Sequence, residues 1–234
     1  MESKGYNERL FAGGIRGRLH QARFVWFTQT LDRLKCSPES ILELGCFDGK
    51  LLDYLPERPA RYVGFDANWE GGLDAATKRW GANSAYSFRL CDSPEQMHLS
   101  TNDRFDIAVA METLEHIPPY MLDEYLQRLA EHTDRYIFIT VPNEKGVVFI
   151  FKWLLKKLLG YRTEDYTWSE LGYATLGRME KVRRRDHKGF DYSGLISHVA
   201  KYFEIQSVVA IPFAWLPTWA SFNVGIVGRR RNCV

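Results

Sequence analysis

The chain has 234 residues, a formal net charge of +2, 45% apolar residues and 26% charged residues. That length holds one α/β domain with modest insertions, and those fractions are ordinary for a folded globular chain. So small a charge argues against nucleic acid as a partner, the four cysteines at 36, 46, 91 and 233 form no CxxC pair of a zinc knuckle, and no run of about 18 apolar residues offers a membrane span.

Residues 1–16 read as a polar, Gly-rich arm without the apolar core of a signal peptide, so with cysteines suited to a reducing compartment a cytoplasmic location is expected. Residues 17–35 place Leu19, Ala22, Phe24, Trp26, Phe27, Leu31 and Leu34 at helical spacing. Strands and helices then alternate. Strands are expected at 40–45, 61–66, 85–90, 105–110 and 135–141, with helices at 49–55, 70–80 and 119–133. The continuous apolar run Phe105 to Ala110 suits a central buried strand. Residues 146–186 form an insertion with one strong helix and much irregular sequence. A helix capped by Asp191 follows to about Phe203, and strands at 204–212 and 220–228 end the sheet. The pattern predicts one α/β domain over 1–234, with a doubly wound, mostly parallel, seven-stranded Rossmann-like sheet.

Glu43-x-Gly45-x-x-x-Gly49 closes the first strand, and Tyr62-Val63-Gly64-Phe65 ends the second on Asp66. Glycines there let the backbone turn and approach a ligand at the carboxyl edge of a parallel sheet. A nicotinamide dinucleotide would need a glycine where Phe47 stands, and Asp48 would repel its pyrophosphate. A ligand without phosphate and with a positive charge suits the turn better, and S-adenosylmethionine is one.

From about residue 38 to 145 the chain resembles the class I S-adenosylmethionine-dependent methyltransferases. The resemblance implies a donor site of Glu43, Gly45, Phe47, Gly49, Asp66, Asp92 and Met111. In it Asp66 would hold the ribose hydroxyls, Cys91-Asp92-Ser93 would lie near the adenine, and Ala110-Met111-Glu112 would line the sulfonium.

Met111-Glu112-Thr113-Leu114-Glu115-His116 follows the fourth strand. Glu112, Glu115 and His116 are spaced three and four apart, so one helical turn would align them. Carboxylates and imidazole are divalent-metal ligands, and the same groups serve plain acid–base chemistry. The segment resembles the ubiquinone-pathway O-methyltransferases and the small-RNA 2′-O-methyltransferases. That likeness implies metal ligands Glu112, Glu115, His116 and the distant His187 around an ion such as Mg2+, with His116, Glu115 and His187 as catalytic residues.

Val147 to Leu159 is apolar over most of its surface, with Lys152, Lys156 and Lys157. It suits either a helix lying at a membrane surface, hence a peripheral membrane contact through 147–159, or a lid packed on the domain. The expected activity is O-methylation of a small-molecule, glycan or lipid-linked acceptor. An RNA 2′-O-methyltransferase and a non-catalytic S-adenosylmethionine-binding or partner-binding module are the rivals.

Overall fold

The computed structural model describes residues 14–158, 160, 163–185 and 187–231. The arm expected over 1–16 therefore lies mostly outside the described residues, as do Leu159, Tyr161 and Cys233. Helix α1 (Gly14–Leu34) leads into β1 (Ser40–Leu44) and β2 (Arg61–Asp66). Then come α2 (Gly72–Trp80), β3 (Tyr86–Leu90), β4 (Phe105–Met111), α3 (Pro119–Glu131) and β5 (Thr133–Pro142). The insertion contributes α4 (Gly146–Leu158) and α5 (Trp168–Thr175), and α6 (Tyr192–Tyr202), β6 (Phe203–Ile211) and β7 (Asn223–Arg230) close the chain.

The strands form one seven-stranded sheet in the order β3-β2-β1-β4-β5-β7-β6. β7 runs antiparallel to both its neighbours and the other pairings are parallel. The order reverses between β1 and β4, where Ile41, Leu42 and Glu43 lie beside Ile107, Ala108 and Val109. A crevice opens at such a switch point, outside the carboxyl ends of the strands.

Strand alternation splits the core into two layers. Ile41, Tyr62, Ile107, Phe138 and Val227 pack under Phe24, Trp26, Phe27 and Leu31 of α1. Leu42, Val63, Ala108, Ile137 and Ile139 pack under Leu122, Leu126 and Leu129 of α3 and Leu195 and Val199 of α6. The insertion has a small core of its own around Phe149, Trp153, Leu171, Ala174, Met179 and Val182.

Three local expectations change. The helix expected at 49–55 is only a 3₁₀ turn, Lys50–Asp53, because Gly49 enters it in the left-handed region (φ 69°) and Pro56 follows closely. The helix expected from residue 70 begins at Gly72, because Glu70 (φ 47°) and Gly71 (φ 72°) break the first turn. The last strand starts at Asn223, since Thr218–Ala220 forms a 3₁₀ turn.

Candidate active site

Two loops meet at the switch point. The first follows β1. Gly45 (φ 78°) and Gly49 (φ 69°) take conformations that L side chains rarely adopt. A Cβ on Gly45 would lie 2.0 Å from Oγ1 of Thr113, in the loop after β4. The glycine-containing loop and the Glu112–His116 loop therefore touch with no room for a methyl group between them.

Asp66, at the end of β2, clamps the first loop. One carboxylate oxygen accepts from the Phe47 amide at 2.9 Å and the other from the Asn68 amide at 2.8 Å. Burial pushes its carboxyl up, and the amides of Phe47, Asn68 and Trp69 offset part of that rise. A carboxylate offers about four lone-pair positions, so these three amides leave it able to accept from a ligand as well. Phe47 is itself left-handed (φ 45°), and its ring fills the space over Gly72, where a Cβ would come within 2.3 Å of it. The aromatic ring thus takes up space that a middle glycine would leave open.

Glu43 lies beneath this loop, buried, and accepts a hydrogen bond from the Tyr62 hydroxyl. Burial pushes its carboxyl up from 4.5 to about 8. Between those values the folded chain holds a proton that the unfolded chain gives up. Its stabilising contribution is full below about 4.5 and is lost as pH rises through about 8. Glu43→Gln is expected to flatten this part of a melting-temperature profile against pH, and an unchanged slope would assign the dependence to another group. Met111 is buried at the end of β4, and Asp92 is exposed beyond β3 with its amide donating to Gln96 at 3.0 Å.

The second loop gathers three of the four metal ligands expected from the sequence. Ligand atoms of Glu115, His116 and His187 all lie within 4.8 Å of one another. The imidazole centroids of His116 and His187 are 4.3 Å apart. Glu115 is fully buried, and neither carboxylate oxygen has a side-chain hydrogen-bond partner among the described residues. Burial, then the nearby Glu112 carboxylate, hold its carboxyl well above the usual range. A buried carboxyl so placed is neutral, or it faces a cation. His187 is pulled down to about 3 by burial and by the charge of His116, Lys156, Lys152 and Arg184, so its ring is neutral near pH 7 and free to ligate. Glu112 stands outside the cluster. It sits at φ 53° and accepts from Asn223 Nδ2 at 3.2 Å, which turns it toward β7.

His187 lies 71 residues beyond His116 in the chain, and two basic residues hold its loop in place. Arg184 donates to the backbone carbonyl of Glu115. Lys188 is buried and donates to the Asp165 carbonyl at 2.7 Å and to Glu170 at 2.8 Å. Glu170 also closes a reciprocal cap with Thr167 at the start of α5. The Thr-x-x-Glu spacing at 167–170 is a readable helix-start signal. The tethers from Arg184 and Lys188 leave no such local signal.

A protein-family model for a methyltransferase domain matches residues 19–182. The chain belongs to this methyltransferase family. No curated protein is significantly similar to it. Among solved structures, an S-adenosylmethionine-dependent methyltransferase from Clostridium acetobutylicum ATCC 824 is similar with a TM-score of 0.63 at 12% identity, covering 97% of this chain and 96% of that one. Magnesium protoporphyrin IX methyltransferase from Synechocystis PCC 6803, with bound S-adenosylhomocysteine, has a TM-score of 0.60 at 14% identity, covering 96% and 93%. The methyltransferase domain of a bacterial CtHen1 has a TM-score of 0.59 at 16% identity, covering 90% and 99%. At such identities the likeness to the solved structures concerns the fold, which is that of class I methyltransferases. The family makes this chain a methyltransferase domain, and its fold is shared with S-adenosylmethionine-dependent methyltransferases.

Proposed function

We propose that this methyltransferase transfers the donor's methyl group to a hydroxyl oxygen of a small-molecule, glycan or lipid-linked acceptor, with a divalent cation at Glu115, His116 and His187. The observation that carries this reading is the buried carboxyl of Glu115, which has no side-chain hydrogen-bond partner among the described residues and shares one cluster with two imidazoles. S-Adenosylmethionine supplies the methyl group on a sulfonium whose charge disappears on transfer. A bound cation would lower the pKa of the acceptor hydroxyl and orient it. Two imidazoles and one carboxylate suit a transition ion such as Mn2+ better than Mg2+, which prefers oxygen ligands.

The chain's own residues have distinct tasks in this reading. Asp66 accepts from the ribose hydroxyls while its clamp fixes the Phe47 turn. Gly45 lets the donor loop and the Glu115 loop close on each other, which places donor and acceptor sites side by side. In this reading Met111, buried at the end of β4, is assigned to the sulfonium and Asp92, exposed beyond β3, to the adenine. Arg184 and Lys188 position the His187 loop rather than touch the acceptor.

The test is a methyl-transfer assay on a panel of hydroxyl acceptors, with and without a chelator. Turnover that stops on chelation and returns with Mn2+ supports the reading. Turnover indifferent to chelation would leave deprotonation to the exposed His116 as a general base and remove the metal from the account.

A further inference from the structure

α4 packs on the rest of the insertion by one side only and leaves an apolar stripe uncovered. Its inward side carries Phe149 and Trp153, both buried, and Lys152, whose ammonium donates to the Asn143 carbonyl at 2.8 Å. Its outward side carries Val147, Phe151, Leu154, Leu155 and Leu158, all exposed. Steps of four, three, four and three or four bring these onto one stripe. Leu158 is 83% exposed and Phe151 59%. The most apolar stripe of the helix therefore points into solvent.

The loop between β6 and β7 extends this stripe. Phe213, Trp215 and Trp219 are exposed there, Trp215 to 80%. The Phe213 and Trp215 rings lie 6.2 Å apart. Asn143, just before α4, donates to the Trp219 carbonyl at 3.1 Å, and a Cβ on Gly146 would lie 3.5 Å from that same carbonyl. Two segments some 65 residues apart thus present one aromatic and aliphatic surface, of a kind that isolated soluble domains seldom leave open.

We propose that this surface docks on an anionic lipid bilayer. Charge selects the occupant. Residues 145–158 and 212–223 hold no Asp or Glu, while Lys156 and Lys157 lie exposed in the last turn of α4. Tryptophan, with an apolar ring and a polar N–H, settles at the boundary between headgroups and acyl chains, and lysine reaches the phosphates. At about 1.5 Å per residue α4 is too short to cross a bilayer, and no helix of the described residues is long and apolar enough to do so. The helix lies flat, and docking brings the acceptor site close to the membrane surface.

Flotation with phosphatidylcholine vesicles containing phosphatidylglycerol tests this on the full chain. The protein is expected to float, and Phe151→Asp with Leu155→Asp is expected to reduce the bound fraction roughly tenfold or more, since each large side chain withdrawn from lipid costs about that much in partition. Trp215→Ser is a second variant on the separate loop and is expected to weaken flotation as well. Unchanged S-adenosylhomocysteine affinity in all variants reports that they fold. Absence of flotation by the parent chain, or flotation equal in parent and variants, would overturn the proposal. So would a dimer in solution that the Phe151 and Leu155 changes dissociate without any lipid binding, which would assign the surface to a second copy of the chain.

Discussion

Asp66→Ala is expected to weaken S-adenosylhomocysteine binding by roughly a hundredfold or more. Two contributions combine. A carboxylate accepting from two hydroxyls makes two charge-assisted hydrogen bonds of about 1.5–3 kcal/mol each. The same carboxylate also holds the amides of Phe47 and Asn68. Phe47 sits at φ 45°, a conformation that costs an L residue about 1–2 kcal/mol. Once the clamp is removed, the turn relaxes toward φ below zero and its ring leaves the space over Gly72. Asp66→Asn separates these effects, because the amide keeps one acceptor oxygen and the side-chain size. Calorimetric titration with S-adenosylhomocysteine reads both variants. An intermediate loss for Asn and a large one for Ala fit the two-part role. Full affinity in Asp66→Ala would move the donor pocket away from this loop.

Glu115→Gln is expected to abolish any stimulation of turnover by divalent ions and to lower kcat by about a hundredfold or more, the range typical of losing a metal or an electrostatic stabiliser. Its effect on stability runs the other way. The glutamate carboxyl is fully buried with no side-chain hydrogen-bond partner among the described residues, and burial raises it well above its usual range, so the metal-free chain gains nothing from the acid. Without metal, the melting temperature of Glu115→Gln should equal or exceed that of the parent. With Mn2+, the parent should rise with ion concentration, as a ligand bound only to the folded state requires, and the variant should not. A variant that melts lower than the parent without metal would mean that Glu115 has a structural partner.

The central strands β1, β2 and β4 were readable because they are buried on both faces. Phe105 to Met111 is apolar apart from Asp106, and Asp106 earns its place by accepting the amides of Glu39 and Ser40 at 2.7 and 2.9 Å. The donor loop was readable through Gly45, Gly49 and Asp66, whose types answer to backbone geometry. Periodicity could not fix the sense of α4. It identifies the stripe of Phe151, Leu155 and Leu158 but not the direction in which the fold turns it, and that direction was settled by Phe149, Trp153 and the inward Lys152. The exclusion of Glu112 from the ligand cluster depends on a positive φ and on Asn223, 111 residues away. Arg184 and Lys188 act on backbone carbonyls far along the chain, contacts that depend on position and leave no side-chain pattern to read.

We propose that the donor site and the Glu115–His116–His187 cluster form one active site, joined where Gly45 meets Thr113. Paramagnetic broadening tests it most directly: proton resonances of bound S-adenosylhomocysteine are followed while Mn2+ is added to the parent chain and to Glu115→Gln. Marked broadening of the cofactor's signals is expected in the parent and none in the variant. Mn2+ that binds without broadening them, or broadening that survives Glu115→Gln, would contradict it.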